Sequence, residues 1–326
     1  MQENQMVPVT ILTGFLGAGK TTLLNRILKE DHGQRIAVIE NDFGETGVDN
    51  EILEQTEEQI VEMNNGCLCC TVQDDLLRVV DDLLERRNRL DHLLIETTGM
   101  AIPAATIISL LNHPEYAQSF RLDGVIALAH ACHLPGQLAT TEEAAQQLAY
   151  ADLILLNKLD LASDAMLAEV ESQVRGINPL AQIRRVEQAA VDVSEMLSVG
   201  GFGATEIMQQ QEGGGEHHHH THQSQIGSVG VVIPGQMNLL AFEAWIDLLL
   251  ALNHENIFRM KGVLNLPGAS RRYVLQGVHR LWSGQYGNPW GEAERANRIV
   301  FIGKNLNAEQ LKQGVRSCLM VESGGR

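Results

Sequence analysis

Two kinds of apolar pattern alternate along the first two thirds of the chain. Unbroken runs of strand length occur at Pro8-Val-Thr-Ile-Leu-Thr13, Arg35-Ile-Ala-Val-Ile-Glu40, His92-Leu-Leu-Ile-Glu96, Asp123-Gly-Val-Ile-Ala-Leu-Ala-His130 and Asp152-Leu-Ile-Leu-Leu156. Shorter runs lie at Ile60-Val61 and Ile183-Arg-Arg-Val186. Between them, apolar residues recur every three or four positions over 23–28, 76–84, 103–111, 142–150 and 165–177. Continuous apolar strands are buried on both faces, so this alternation predicts an α/β fold with a mostly parallel, doubly wound sheet.

Periodicity stops near Gly200 and resumes in a different order. Ser228–Ile233 reads as a strand and Leu239–Leu252 as a strongly apolar helix. Strand-like runs follow at Ile257–Leu266, Tyr273–Trp282 and Ile299–Ile302, before a closing helix over Ala308–Leu319. The order β-α-β-β-β-α predicts a smaller α+β domain, an antiparallel sheet covered by helices. The expected division is 1–200, a linker over 201–224, and 225–326. Charge changes sign at the same place: residues 224–326 carry 11 Lys and Arg against 7 Asp and Glu, which leaves 13 against 34 before them.

The first strand runs into Gly14-Phe-Leu-Gly-Ala-Gly-Lys-Thr-Thr22 and then into a helix. Glycines let backbone N–H groups close round phosphates, and the helix N-terminus favours the anion. Gly14 and Gly19, followed by Lys20-Thr21, fit the P-loop spacing. Lys20 is expected to reach the β- and γ-phosphates and the Thr21 hydroxyl to ligate Mg²⁺.

The other strand ends carry the remaining chemistry, as expected for a doubly wound sheet. Asn41-Asp-Phe-Gly-Glu45 follows the second run and reads either as a nucleotide-sensing loop or as a solvated acidic turn. Glu96-Thr-Thr-Gly99 ends the third; Glu96 is the candidate for sensing Mg²⁺ or orienting water, or else it caps the next turn. Asn157-Lys-Leu-Asp160 ends the fifth. There an Asp carboxylate accepts from guanine N1–H and the 2-amino group, which adenine cannot offer, so GTP and GDP are the expected nucleotides.

Cys67-Leu-Cys-Cys70 places three thiols ahead of a helix start. Such thiols are disposed to ionise, and thiolates select Zn²⁺ and similar soft ions. Three adjacent cysteines do not close a tetrahedral site, so either further ligands come from elsewhere, with Glu40 and Glu45 the candidates, or the site is open and transient. His217, His218, His219, His220 and His222 sit in a Gly- and Gln-rich segment and read as a weak metal antenna or as a solvated linker. His130 and Cys132, two apart at a strand end, would share a face if the strand ran through them. They read as a partial soft-metal site or as packed side chains.

A net charge of −17 over 326 residues argues against a nucleic-acid or anionic-membrane partner. No run reaches the ~20 apolar residues of a membrane span, and the start of the chain lacks signal-peptide character. A cytoplasmic protein is expected, and a homo-oligomer is compatible with everything above.

GFLGAGKTTLL, ENDFGE, CLCC, ETTGMA and NKLD together resemble the CobW-like metal-chaperone GTPases, relatives of the hydrogenase and urease nickel-insertion GTPases. Past the linker, FRMKGVL, LQGVHRL and VFIGKNL resemble that family's C-terminal domain. The resemblance implies a GTPase of low intrinsic rate, binding GTP, GDP, Mg²⁺ and Zn²⁺ (or Co²⁺ or Ni²⁺), and delivering a transition metal to a client metalloprotein. Phosphate contacts then fall on Gly14, Gly17, Ala18, Gly19, Lys20, Thr21 and Thr22. Guanine contacts fall on Asn157, Lys158 and Asp160, and metal ligation on Cys67, Cys69 and Cys70. The chain departs from the family with Asp42 for Glu, Ile102 for Asp, and Ala129-His130-Ala131 for Val-Asp-Ala. A GTP-toggled metal buffer or sensor is the alternative, and a phosphotransferase fits the guanine motif poorly.

Overall fold

The computed structural model of the chain describes residues 6–40, 79–85, 90–111, 113–197, 199 and 226–320, together with the backbone of 60–62. These fall into two compact units: residues up to 173 with 181–202, and residues 174–180 with 203 onward.

The first unit is built on a seven-stranded sheet, β1 (Val7–Gly14), β2 (Ile36–Glu40), β3 (Ile60–Glu62), β4 (His92–Glu96), β5 (Phe120–His130), β6 (Leu153–Asn157) and β7 (Gln182–Arg185). Spatial order is β3-β2-β4-β1-β5-β6-β7 and every pairing is parallel. Alternate residues of one strand feed opposite cores. Leu94 joins Leu23, Leu24 and Ile27 of the helix Lys20–Lys29 on one face. Leu93 and Ile95 join Val80, Leu83, Leu110 and Phe120 on the other. Both faces are thus covered, which is why these strands read as unbroken apolar runs. The doubly wound expectation holds. Three short helices, Pro114–Ser119, Leu134–Thr140 and Val193–Met196, carry too little periodicity to be read from sequence.

The second unit is a five-stranded antiparallel sheet with β8 (Ile226–Pro234), β9 (Ile257–Leu264), β10 (Arg271–Val278), β11 (Leu281–Pro289) and β12 (Ala296–Lys304) in the order β11-β10-β9-β12-β8. Helices Leu239–Asn253 and Ala308–Ser317 share its core through Phe242, Ile246, Leu250, Leu311 and Val315. Asn238 and Asn307 cap them, their side chains accepting from Ala241 N and Gln310 N.

One expectation needs correction here. The run Tyr273–Trp282 is two strands joined at His279-Arg280, where His279 has φ 55°. β11, rich in Gly, Ser, Gln and Asn, lies at the sheet's edge and lacks the apolar alternation by which strands are recognised. Cys318 is buried in this core.

Candidate functional site

The carboxyl ends of β1, β2, β4, β5 and β6 line up on one edge of the parallel sheet, and the predicted chemistry gathers there. β1 ends at Gly14 (φ 145°), where any Cβ would collide with the Leu128 carbonyl on β5. Gly17 (φ 79°) and Gly19 (φ 107°) also need left-handed backbone. A Cβ on Gly19 would stand 2.5 Å from Asn157 Nδ2. Three glycines therefore let the loop curl, and Lys20 opens a helix whose first N–H groups face the loop. Lys20 is buried, its ammonium donating to Gly14 O at 3.0 Å and lying 3.9 Å from Glu96 Oε1. Ala18 is buried, Thr21 half-buried and Thr22 exposed.

Asn157 ends β6 fully buried and works in two directions. Its Nδ2 donates to Ala18 O at 2.9 Å, and its Oδ1 accepts from Ala189 N at 3.1 Å. Lys158 takes a left-handed backbone (φ 64°, ψ 43°), and a 3₁₀ turn over Leu159–Leu161 leaves Asp160 exposed. Sequence reading missed Gln188 and Ala189, consecutive left-handed residues (φ 50° and 52°) after β7. Neither is Gly or Asn, so no local signal marks the turn.

Beyond Glu96, Thr97 is buried, its amide donating to Leu12 O at 2.9 Å and its hydroxyl to Thr13 Oγ1 at 3.0 Å. Gly99 then passes so close to the P-loop that a Cβ would lie 2.9 Å from Leu16 N. Glu40 stands opposite Glu96 on the neighbouring strand, and Glu62 opposite Glu40, so three acids share one register row.

The site at His130 differs from the strand-alternation expectation. β5 stops at His130 and turns, so Cys132 leaves the shared face and its thiol donates to Leu161 O at 3.0 Å. His133 folds back instead, stacking on His130 with centroids 3.9 Å apart and planes at 12°. In-plane lone pairs of nearly parallel imidazoles do not converge on one ion. Burial, then the neighbouring His133 and Lys158, push the His130 imidazole below its usual pKa. The two rings pack on each other beside the turn that carries Lys158 and Asp160.

Among the described residues no group of three His, Cys, Asp or Glu side chains converges as a metal site. Cys67, Cys69, Cys70, Glu45, His217, His218, His219, His220 and His222 lie outside the described residues, as does the expected linker. No helix among the described residues is long and apolar enough to cross a membrane.

Comparison with known proteins gives a consistent result. Residues 8–185 match the family described as "CobW/HypB/UreG, nucleotide-binding domain", and residues 226–319 match the "Cobalamin synthesis protein cobW C-terminal domain". The chain is 36% identical to the zinc chaperone YjiA of Escherichia coli, covering 94% of this chain and 96% of that one. It is 33% identical to the zinc chaperone CobW of Pseudomonas aeruginosa, over 98% of this chain and 93% of the relative. A crystal structure of Zn(II)-bound YjiA GTPase from E. coli aligns with a TM-score of 0.74 at 31% identity, over 97% of this chain and all (100%) of that one.

Proposed function

Because the chain belongs to the CobW/HypB/UreG family of P-loop GTPases, we propose that it is a GTP-hydrolysing zinc chaperone that carries its cargo on Cys67, Cys69 and Cys70 and releases it to a client metalloprotein. Gly14, Gly17, Ala18, Gly19 and Thr22 form the phosphate cradle, and Lys20 balances the β- and γ-phosphate charge. Mg²⁺, when bound, neutralises the same oxygens, and Thr21 is the residue that would hold it. Asn157, Lys158 and Asp160 read guanine. Glu96 orients water or senses the metal-bound phosphate.

One relationship carries the coupling between nucleotide and cargo. Glu40, the expected carboxylate partner of the thiols, stands in register with Glu96, and Glu96 is 3.9 Å from Lys20. A change at the γ-phosphate that draws Lys20 away alters the charge felt along this row of acids, and with it the grip on a cation. Glu45 is the second carboxylate candidate, and His217–His220 with His222 serve as a low-affinity collector. The charge balance leaves nucleic acid and anionic membrane out of the partner list. The functional division we propose is 1–200, 201–224 and 225–326, with nucleotide and cargo on the first part.

Zinc affinity and stoichiometry, measured with a non-hydrolysable GTP analogue, with GDP and without nucleotide, test the reading. One tight site that weakens on going from one nucleotide to the other, and disappears in Cys69→Ser/Cys70→Ser, is expected. Retention of that site in the double variant would place the cargo elsewhere. A buffer or sensor differs in a further assay, because zinc then never appears in a client when GTP turns over.

A further inference from the structure

The loop after Glu96 is held from two sides. From below, Thr97 N donates to Leu12 O and Gly99 lies against Leu16 of the P-loop. From above stands Gln147, on the helix Glu142–Tyr150 and only 3% exposed. Its amide nitrogen donates to Gly99 O at 3.2 Å and to Ala101 O at 3.1 Å, using both its protons on one loop. The helix's other buried residues are Ala144, Ala145, Leu148, Ala149 and Tyr150. A glutamine buried among them would be costly unless its donors found partners.

We propose that Gln147 is a positioning residue for GTP hydrolysis: it latches the Thr97–Ala101 loop against the P-loop so that Glu96 and Gly99 meet the γ-phosphate in a fixed orientation. Gln147 does not touch the nucleotide. It fixes the peptide planes that follow Gly99 and Ala101. Its helix leads through Ala151 and Asp152 straight into β6, which ends in Asn157. One rigid segment therefore connects the guanine reader to the loop that senses the third phosphate. A pre-set loop costs less ordering when GTP arrives, whereas GDP, lacking the γ-phosphate, makes no use of it. The inference rests on the GTPase reading and adds a residue to it.

The test uses the full chain with Gln147→Met, which keeps side-chain length and removes both donors, and Gln147→Glu, which sets an acceptor against two carbonyls. Binding of GDP and of a non-hydrolysable GTP analogue is measured beside steady-state hydrolysis. GDP affinity is expected within about twofold of wild type, while the analogue binds about tenfold more weakly and kcat drops about tenfold, the scale set by removing buried hydrogen bonds. A purely structural role would weaken both nucleotides alike, and that result, or no change in either, overturns the proposal. Hydrogen exchange at the amides of 98–102 in protein freed of nucleotide checks the latch without reference to turnover. Faster exchange is expected in both variants, and unchanged exchange sinks the latch. Wild-type protein that hydrolyses no GTP would instead undo the functional reading while leaving the exchange result standing.

Discussion

Asn157 Nδ2 donates to the Ala18 carbonyl at 2.9 Å, so the end of β6, where the proposed base readers sit, also holds the glycine-rich loop after β1. The same side chain accepts from Ala189 N at 3.1 Å. Asn157→Ala leaves two buried backbone groups unpaired, each costing about 1–3 kcal/mol. Affinity for GTP and for GDP is expected to fall together, by at least about tenfold, and the melting temperature to drop. Calorimetry with both nucleotides checks this; a loss confined to GTP would mean that Asn157 acts on the γ-phosphate and not on the frame.

Asp160 is exposed on its 3₁₀ turn, and the proposed function makes it a partner of the guanine edge. Asp160→Asn replaces two acceptor sites with an amide that also donates. Guanine loses a partner and xanthine, with an oxygen in place of the 2-amino group, gains one. A reversal of preference from GDP to XDP of at least about tenfold is expected, the scale of a buried polar mismatch. Unaltered preference in a competition assay would remove Asp160 from the base site.

Much of this frame was legible because its signals are local. Gly14, Gly19 and Lys20 announce a phosphate loop by spacing, and β1, β2, β4 and β6 announce themselves as apolar runs because both sheet faces are covered. What was missed is set by tertiary contact. Gln188 and Ala189 turn left-handed where Asn157 accepts the Ala189 amide, which no propensity encodes. Gln147 looks like any polar residue on a helix until its two carbonyl partners, 46 and 48 residues away, come into view. His130 and Cys132 obey strand alternation only if the strand continues, and it ends at His130. β11 is hidden for the opposite reason, since an edge strand of small and polar residues carries no apolar period.

Lys20 donates to Gly14 O and lies near Glu96. If the ammonium is to meet phosphate as proposed, these two contacts must loosen. Lys20→Ala should abolish measurable hydrolysis and weaken triphosphate binding by about a hundredfold, the scale of removing a charge-assisted hydrogen bond to a phosphate. Glu96→Gln removes an anion from the neighbourhood of the incoming phosphates. GDP affinity is expected unchanged or slightly improved, with kcat lowered at least about tenfold, the size of a general-base or water-orienting contribution. Single-turnover hydrolysis separates the two effects. A Glu96→Gln protein with normal single-turnover rates would leave the acid as a partner of Lys20 and no more.

His92 begins β4 with 1% of its surface exposed, its Nε2 hydrogen-bonded with Thr10 Oγ1 at 2.8 Å across the strand pair. Burial, and then the charge of Arg121, push its pKa from 6.5 down to about 4. The native state thus keeps His92 neutral over a range where the unfolded chain protonates it. Between those two values the unfolded state binds more protons, so stability rises with pH. The contribution is complete above about pH 6.5, is lost progressively as pH falls, and levels off near pH 4. At about 1.4 kcal/mol per pKa unit the full loss is on the order of 3 kcal/mol. Asp123, whose carboxyl burial raises, titrates with the opposite sign. The effect of His92 must therefore be read as a difference between two proteins. Urea unfolding of wild type and His92→Gln at pH 7.5 and about pH 4.5 supplies it. Gln retains a hydrogen-bonding group for Thr10 and cannot take a proton. The variant is expected to lose about 1–2 kcal/mol at the higher pH from poorer packing. At the lower pH it is expected to match or exceed wild type. A stability difference that stays constant between the two pH values would mean that His92 titrates normally, and that the Thr10 hydrogen bond opens to let it do so.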